Sequence, residues 1–174
     1  EIHLSAGAIL QASRDRNDFI RVHPEEQYPK NSPVVNRAPY FTFTLDHHLV
    51  VAQEAENVSI SGTGTIFGNG LEWMGNIEEK GGQEKYQLRD GWRPGPLVAF
   101  DRCRGVRLEN ITIRESYQFH SFFIGCSNVH IKGVTIQGDK RIPNGDGLHI
   151  TCCRDVIISD CNIAGGDDAI PIFT

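Results

Sequence analysis

No apolar run in this chain extends beyond a few residues, so nothing in it approaches the ~18 residues that a membrane-crossing helix requires. A basic excess is also missing. The 17 Lys and Arg against 22 Asp and Glu leave a net charge of −5, which excludes the broad positive face of a nucleic-acid binder. The five cysteines are odd in number and include no C-x-x-C pair, which argues against both a zinc site and a complete disulfide framework. The opening EIHLSAGAIL shows no basic n-region or cleavage motif, so localisation is not written in it. No helical pattern competes in strength with the strand repeat. What remains, at 39% apolar and 22% charged, has the composition of one folded domain with a real core.

The chain does contain a repeat. GVRLENITI (105–113), NVHIKGVTI (128–136) and DVIISDCNI (155–163) align without gaps, and NVSISGTGTI (57–66) aligns with one extra residue. Each reads as two short strands and a bend, with Val106, Leu108, Ile111 and Ile113 and their counterparts pointing one way. The valine starts advance by 23 and then 27 residues, too few for a βαβ unit and suited to one turn of a solenoid. The spacing predicts an all-β fold, a parallel β-helix over residues 1–174, with polar insertions near 13–40 and 69–95. Cys103, Cys126 and Cys153 each stand three residues before a repeat valine, which predicts a stack of buried, reduced thiols. The mixed charges of the 69–95 insertion read as a solvated loop, and Trp73 and Trp92 beside it as loop packing or a sugar-stacking wall.

Three carboxylates interrupt this pattern. Asp146 lies in NGDGLHI, and Asp167 and Asp168 lie in GGDDAI, 21 and 22 positions later. If one coil has that length, the two clusters meet at one corner of the solenoid. Crowded carboxylates raise the pKa of at least one member, which suits a division into general acid and general base. Read singly, each cluster also fits a turn and a solvated corner. NGDG lacks the alternating acids and closing Glu of a calcium loop, and GTGTIFG lacks dinucleotide-motif spacing, so neither a metal nor a cofactor is expected.

NGDGLHI and GGDDAI resemble the N-T-D-G and G-D-D motifs of the polygalacturonase family, glycoside hydrolase family 28, whose fold is a right-handed parallel β-helix. SGTGTIFGNG with Trp73, RPGPLVAF, SYQFH and GCSNVHIKGVTI follow that family's order, and the resemblance covers most of 50–170. It implies that Asp167 is the general acid and that Asp146 and Asp168 activate water, in inverting hydrolysis of α-1,4-galacturonosidic bonds of pectin or polygalacturonate. Asn144 belongs to the first motif. His149 and His120 match positions of plant-like members, with a hydrogen-bonded structural imidazole as the equal reading. Lys140 and Arg141 are the nearby cations for an anionic glycan.

The family's Thr before the first Asp is Gly145 here, and Pro171 conflicts with an interior ladder strand. The G-H-G histidine and R-I-K pair do not occur in these residues, so the expectation is an interior piece of a longer enzyme with further C-terminal coils. The resemblance further implies a monomer, a polysaccharide partner, no nucleic acid or membrane partner, and extracellular or periplasmic residence. Two alternatives share the fold: a polysaccharide lyase, which needs calcium and an arginine base, and a non-catalytic carbohydrate-binding or structural β-helix.

Overall fold

The computed structural model of the chain describes residues 1–19 and 47–174. Most of the expected insertion at 13–40 lies outside the described residues.

The described residues form a parallel β-helix of three sheets. The first coil contains β1 (Ile2–Leu4), β2 (Ile9–Gln11) and β3 (Val50–Gln53). The second contains β4 (Ser59–Gly62), β5 (Thr65–Phe67) and β8 (Val98–Asp101), with an antiparallel hairpin, β6 (Met74–Lys80) and β7 (Gln83–Leu88), between the last two. The third is β9 (Arg104–Glu109), β10 (Thr112–Arg114) and β11 (Ser121–Ile124). The fourth is β12 (Ser127–Lys132), β13 (Thr135–Gln137) and β14 (Leu148–Thr151), and the fifth β15 (Arg154–Ser159), β16 (Asn162–Ala164) and β17 (Ile172–Phe173). The sheets stack in the orders β1-β4-β9-β12-β15, β2-β5-β10-β13-β16 and β3-β8-β11-β14-β17, all parallel. Parallel crossovers of L-residues take the right-handed sense.

Register follows the repeat. Leu108 pairs with Ile131 and Ile131 with Ile158 in the first sheet, and Ile66, Ile113, Ile136 and Ile163 form the corresponding ladder of the second. The inward set of the two middle repeats, from Val106 to Ile136, is fully buried. Each such side chain contributes roughly 1.5–3 kcal/mol, and these ladders are the main source of cohesion. The extra residue of the 57–66 repeat is absorbed at the bend between β4 and β5. There Gly62 has φ +106°, and a Cβ would lie 2.1 Å from the Leu4 carbonyl oxygen.

The corner between third and first sheets is one left-handed residue at each of the four junctions between successive coils: Glu54, Arg102, Gly125 and Cys152. Directly after three of these come the repeat cysteines, each making the same bond. Sγ of Cys103 donates to the Ala52 carbonyl at 3.3 Å, Cys126 to Phe100 at 3.3 Å, and Cys153 to Phe123 at 3.5 Å. All three are free thiols; Cys103 and Cys126 are buried, whereas Cys153 is partly exposed.

The third sheet carries no alternation. β8, β11 and β14 are buried on both faces, which is why their sequences VAFD, SFFI and LHIT show no period of two. Phe100 and Phe123 stack across successive coils at 5.0 Å. Pro171 is accommodated by its position just before β17. Its carbonyl still accepts from Ile150 N at 2.9 Å, and as the residue that precedes the strand it costs the ladder only one donor at its start. Among the described residues no helix is long and apolar enough to cross a membrane.

Candidate active site

Every long described connection joins the second sheet to the third. The segments are 68–97, 115–120, 138–147 and 165–171, so they stack on one corner of the solenoid. Backbone bonds fix their relation: Gly166 N donates to the Gly145 carbonyl at 2.7 Å, Gly147 N to Asp168 at 2.9 Å, and Leu148 N to Ala169 at 3.0 Å. The interval of 21 to 22 residues is therefore one coil, and Asp146, Asp167 and Asp168 come together as their spacing predicted.

The three differ in environment. Asp146 is 5% exposed, whereas Asp167 and Asp168 face solvent. Burial, followed by the negative charges of Asp146 and then Asp168, raises the Asp167 carboxyl above its ordinary value, and the Lys85 ammonium opposes that rise. Like charges converge on Asp167 from its own coil and from the coil before.

Asp146 is held from below. Nδ1 of His149 lies 2.7 Å from Asp146 Oδ2, in charge-assisted hydrogen-bond range, and both side chains are almost wholly buried. The His149 ring stacks on Phe119 at 4.3 Å and on Phe173 at 5.2 Å. His120 is 1% exposed, and its backbone N and ring Nδ1 both donate to the Asp146 carbonyl, at 2.8 and 2.9 Å. Desolvation lowers the His120 pKa, which keeps the ring neutral. Both imidazoles thus sit under the first motif.

Asn144 is a surface residue whose Oδ1 accepts from Arg93 at 2.9 Å. Lys140 is exposed beside the acid pair. Arg141 is clamped by Asp139, Nε to Oδ1 at 3.0 Å and Nη2 to Oδ2 at 2.7 Å, and lies 4.9 Å over the Tyr86 ring. Much of its charge is thereby spent within the protein.

Two residues not singled out from sequence belong to this corner. Arg93 donates to the Pro143 carbonyl as well as to Asn144; burial lowers its pKa to about 10, with the Asp146 charge opposing. Its R-P-G-P context, already part of the family likeness, was the available signal. Lys85 reaches from β7 to the carbonyls of Lys140, at 2.9 Å, and Gly166, at 3.1 Å. The hairpin expected to be a solvated loop instead docks on the site, with Gln83, Glu84, Lys85 and Lys140 facing Asp167 and Asp168 across a cleft of about 540 Å³. Trp73 and Trp92 belong to loop packing: they meet each other and Phe19 edge to face, and Trp73 also lies under the loop at 9% exposure. Among the described residues no cluster of His, Cys, Asp and Glu has metal-holding geometry.

Residues 38–174 match the model of glycosyl hydrolases family 28. A polygalacturonase from Malus domestica is 34% identical over 130 residues, 75% of this chain and 27% of that protein. Polygalacturonase-2 from Solanum lycopersicum is 31% identical over 130 residues, again 27% of its length. The chain thus spans about a quarter of these relatives. Among solved structures, the family 28 exopolygalacturonase of Yersinia enterocolitica superposes with a TM-score of 0.69 at 18% identity, covering 98% of this chain and 35% of that one. The polygalacturonase of Erwinia carotovora superposes at 0.68 and 21% identity, covering 98% and 43%. These two establish the shared β-helix fold; the match over 38–174 establishes that the chain belongs to glycosyl hydrolase family 28.

Proposed function

We propose that this chain carries the acid cluster of an inverting glycoside hydrolase acting on α-1,4-galacturonosidic bonds of polygalacturonate. Relatives named polygalacturonases support the substrate class. The observation that carries the reading is the convergence of Asp146, Asp167 and Asp168 from successive coils, with Asp167 raised by burial and by the other two charges.

The protonated Asp167 donates its proton to the glycosidic oxygen as the C1–O bond breaks and the electron pair passes to that oxygen. A water held by Asp146 and Asp168 attacks C1 from the opposite face and gives up a proton to the carboxylate pair, inverting the anomeric centre. Solvent then returns a proton to Asp167 and removes the other. His149 and His120 orient Asp146 through its carboxylate and its carbonyl, and Arg93 holds the preceding turn. Asn144 and Lys140 stand at the surface to meet the glycan. Such a polymer is too large to enter a cell, so extracellular or periplasmic action belongs to the same proposal.

Asp167→Asn removes the transferable proton with little change in shape. Turnover is expected to fall about 10²–10⁴-fold with KM nearly unchanged. Products of the parent enzyme should be saturated reducing ends; unsaturated uronides would replace hydrolysis by elimination. Undiminished turnover of both Asp167→Asn and Asp146→Asn would overturn the assignment.

A further inference from the structure

The β6–β7 hairpin is fixed to the acid corner by contacts that packing alone does not need. Gly81 and Gly82, both at positive φ, close a tight two-residue turn, so β7 runs back as an edge strand with a free hydrogen-bonding side. That side meets the 138–147 loop, where Tyr86 N donates to the Arg141 carbonyl at 2.8 Å and the Tyr86 ring lies under the Arg141 guanidinium. The Asp139 clamp holds Arg141 there. One residue earlier, Lys85 is half-buried. Its Nζ donates to Lys140 in the fourth coil and to Gly166 in the fifth, the latter immediately before Asp167.

We propose that Lys85 is a positioning residue for the acid cluster: its ammonium ties the loops of two successive coils together and holds a fixed positive charge beside Asp167. Two backbone carbonyls occupy two of its three N–H donors without cancelling its charge. Among the described residues no carboxylate is bonded to it, and Lys85 lines the cleft with Asp167 and Asp168.

Among the described residues, the charged groups facing Asp167 are few. Asp168 comes from its own loop, Asp146 and Lys140 from the 138–147 loop, and Glu84 and Lys85 from the hairpin. Asp139 and Arg141 neutralise each other, Arg93 bonds the Pro143 carbonyl and Asn144, and His120 and His149 bond Asp146 itself. Burial and the two aspartates push the Asp167 carboxyl up, and Lys85 limits the rise. Without Lys85 the acid would stay protonated to higher pH but would be a poorer proton donor, and Gly166 would lose its tie to the hairpin.

The ionisation of Asp167 can be followed without assuming any reaction, by ¹³C-carboxyl NMR titration with Asp167→Asn identifying the signal. In Lys85→Met the Asp167 midpoint is expected to move to higher pH, and in Lys85→Arg to remain near the parent value. The kinetic arm rests on the proposed function. There, Lys85→Met should lower kcat about tenfold and move the basic limb of kcat/KM to higher pH, with Lys85→Arg restoring both. A merely structural lysine would lower the rate without moving that limb. An unmoved or lowered Asp167 midpoint in Lys85→Met, with the hairpin amide signals intact, would overturn the proposal. Should Lys85→Met fail to fold, Lys85→Gln makes the same comparison. Full activity of Asp167→Asn would instead defeat the acid assignment and leave the titration result to decide the role of Lys85.

Discussion

Asp146 keeps its place through a partly buried arginine and two buried histidines, and those groups set how the site responds to mutation and pH. Arg93 bonds the Pro143 carbonyl and the Asn144 side chain, three and two residues before the carboxylate. Arg93→Met keeps much of the length and loses both bonds. It is expected to lower kcat by about ten- to a hundredfold with a small change in KM, since misplacement of about 1 Å can cost that much; steady-state kinetics with a melting curve would separate this from unfolding. His120 answers to pH. Desolvation holds it neutral in the folded protein and depresses its pKa below the ordinary 6.5. The folded state therefore binds fewer protons there than the unfolded chain. Its contribution to stability is complete above about pH 6.5 and is lost as pH falls from that value toward the depressed one. Urea midpoints between pH 7.5 and 5 should decline, and the decline should be shallower in His120→Asn. Equal slopes in the two proteins would remove His120 as the cause.

The strand-to-loop junctions show why the two motifs need glycine. At Gly147 an added Cβ would lie 2.4 Å from the Ala169 carbonyl oxygen and 2.5 Å from Ile163 Cγ2, so Gly147→Ala must separate the fourth and fifth coils where Asp146 and Asp168 meet. Destabilisation of about 1–3 kcal/mol, with a loss of kcat larger than the loss of fold, is expected from chemical denaturation and kinetics on one preparation. Retained activity would show that the close approach is not needed for the geometry of the acids. The coil pairs β9–β10, β12–β13 and β15–β16 were legible because one face is buried and the other wet, which writes a period of two into GVRLENITI and its relatives. The strands of the third sheet left no such trace, since both faces of VAFD, SFFI and LHIT are buried. Carboxylate registry could be read from spacing alone. The docking of the hairpin could not, because the bonds that fix it run from Lys85 to backbone carbonyls, which any sequence supplies, and its mixed charges look the same on a solvated loop.

Among the described residues the strands of each coil pair only with those of adjacent coils, and the second-coil loop with its hairpin alone reaches further, so protection should grade along the axis instead of falling in one step. The inward residues of the third and fourth coils are fully buried, while Val156, Ile158, Cys161 and Ile163 of the fifth are only partly covered. A solenoid's stability is close to a sum of coil and interface terms, so a coil with one neighbour opens at lower cost than a coil with two. The cysteines sample this gradient: Cys103 and Cys126 are buried at 1% exposure in the interior of the stack, and Cys152, Cys153 and Cys161 are intermediate. The equal protection expected from their common place in the repeat therefore gives way to an order. With a small thiol reagent on the 174-residue chain in native buffer, Cys152, Cys153 and Cys161 should react first, and Cys103 and Cys126 only as denaturant unfolds the middle coils, as read by peptide mass mapping at successive times. Sγ of Cys126 donates to Phe100 at the end of the second coil, and its backbone N–H bonds the Cys153 sulfur at 3.3 Å, so the coils on both sides must loosen before it is reached. Native-state labelling of Cys126 at the rate of Cys161 would mean that the coils open together, and that the carboxylates at their corner are held by something other than the stack.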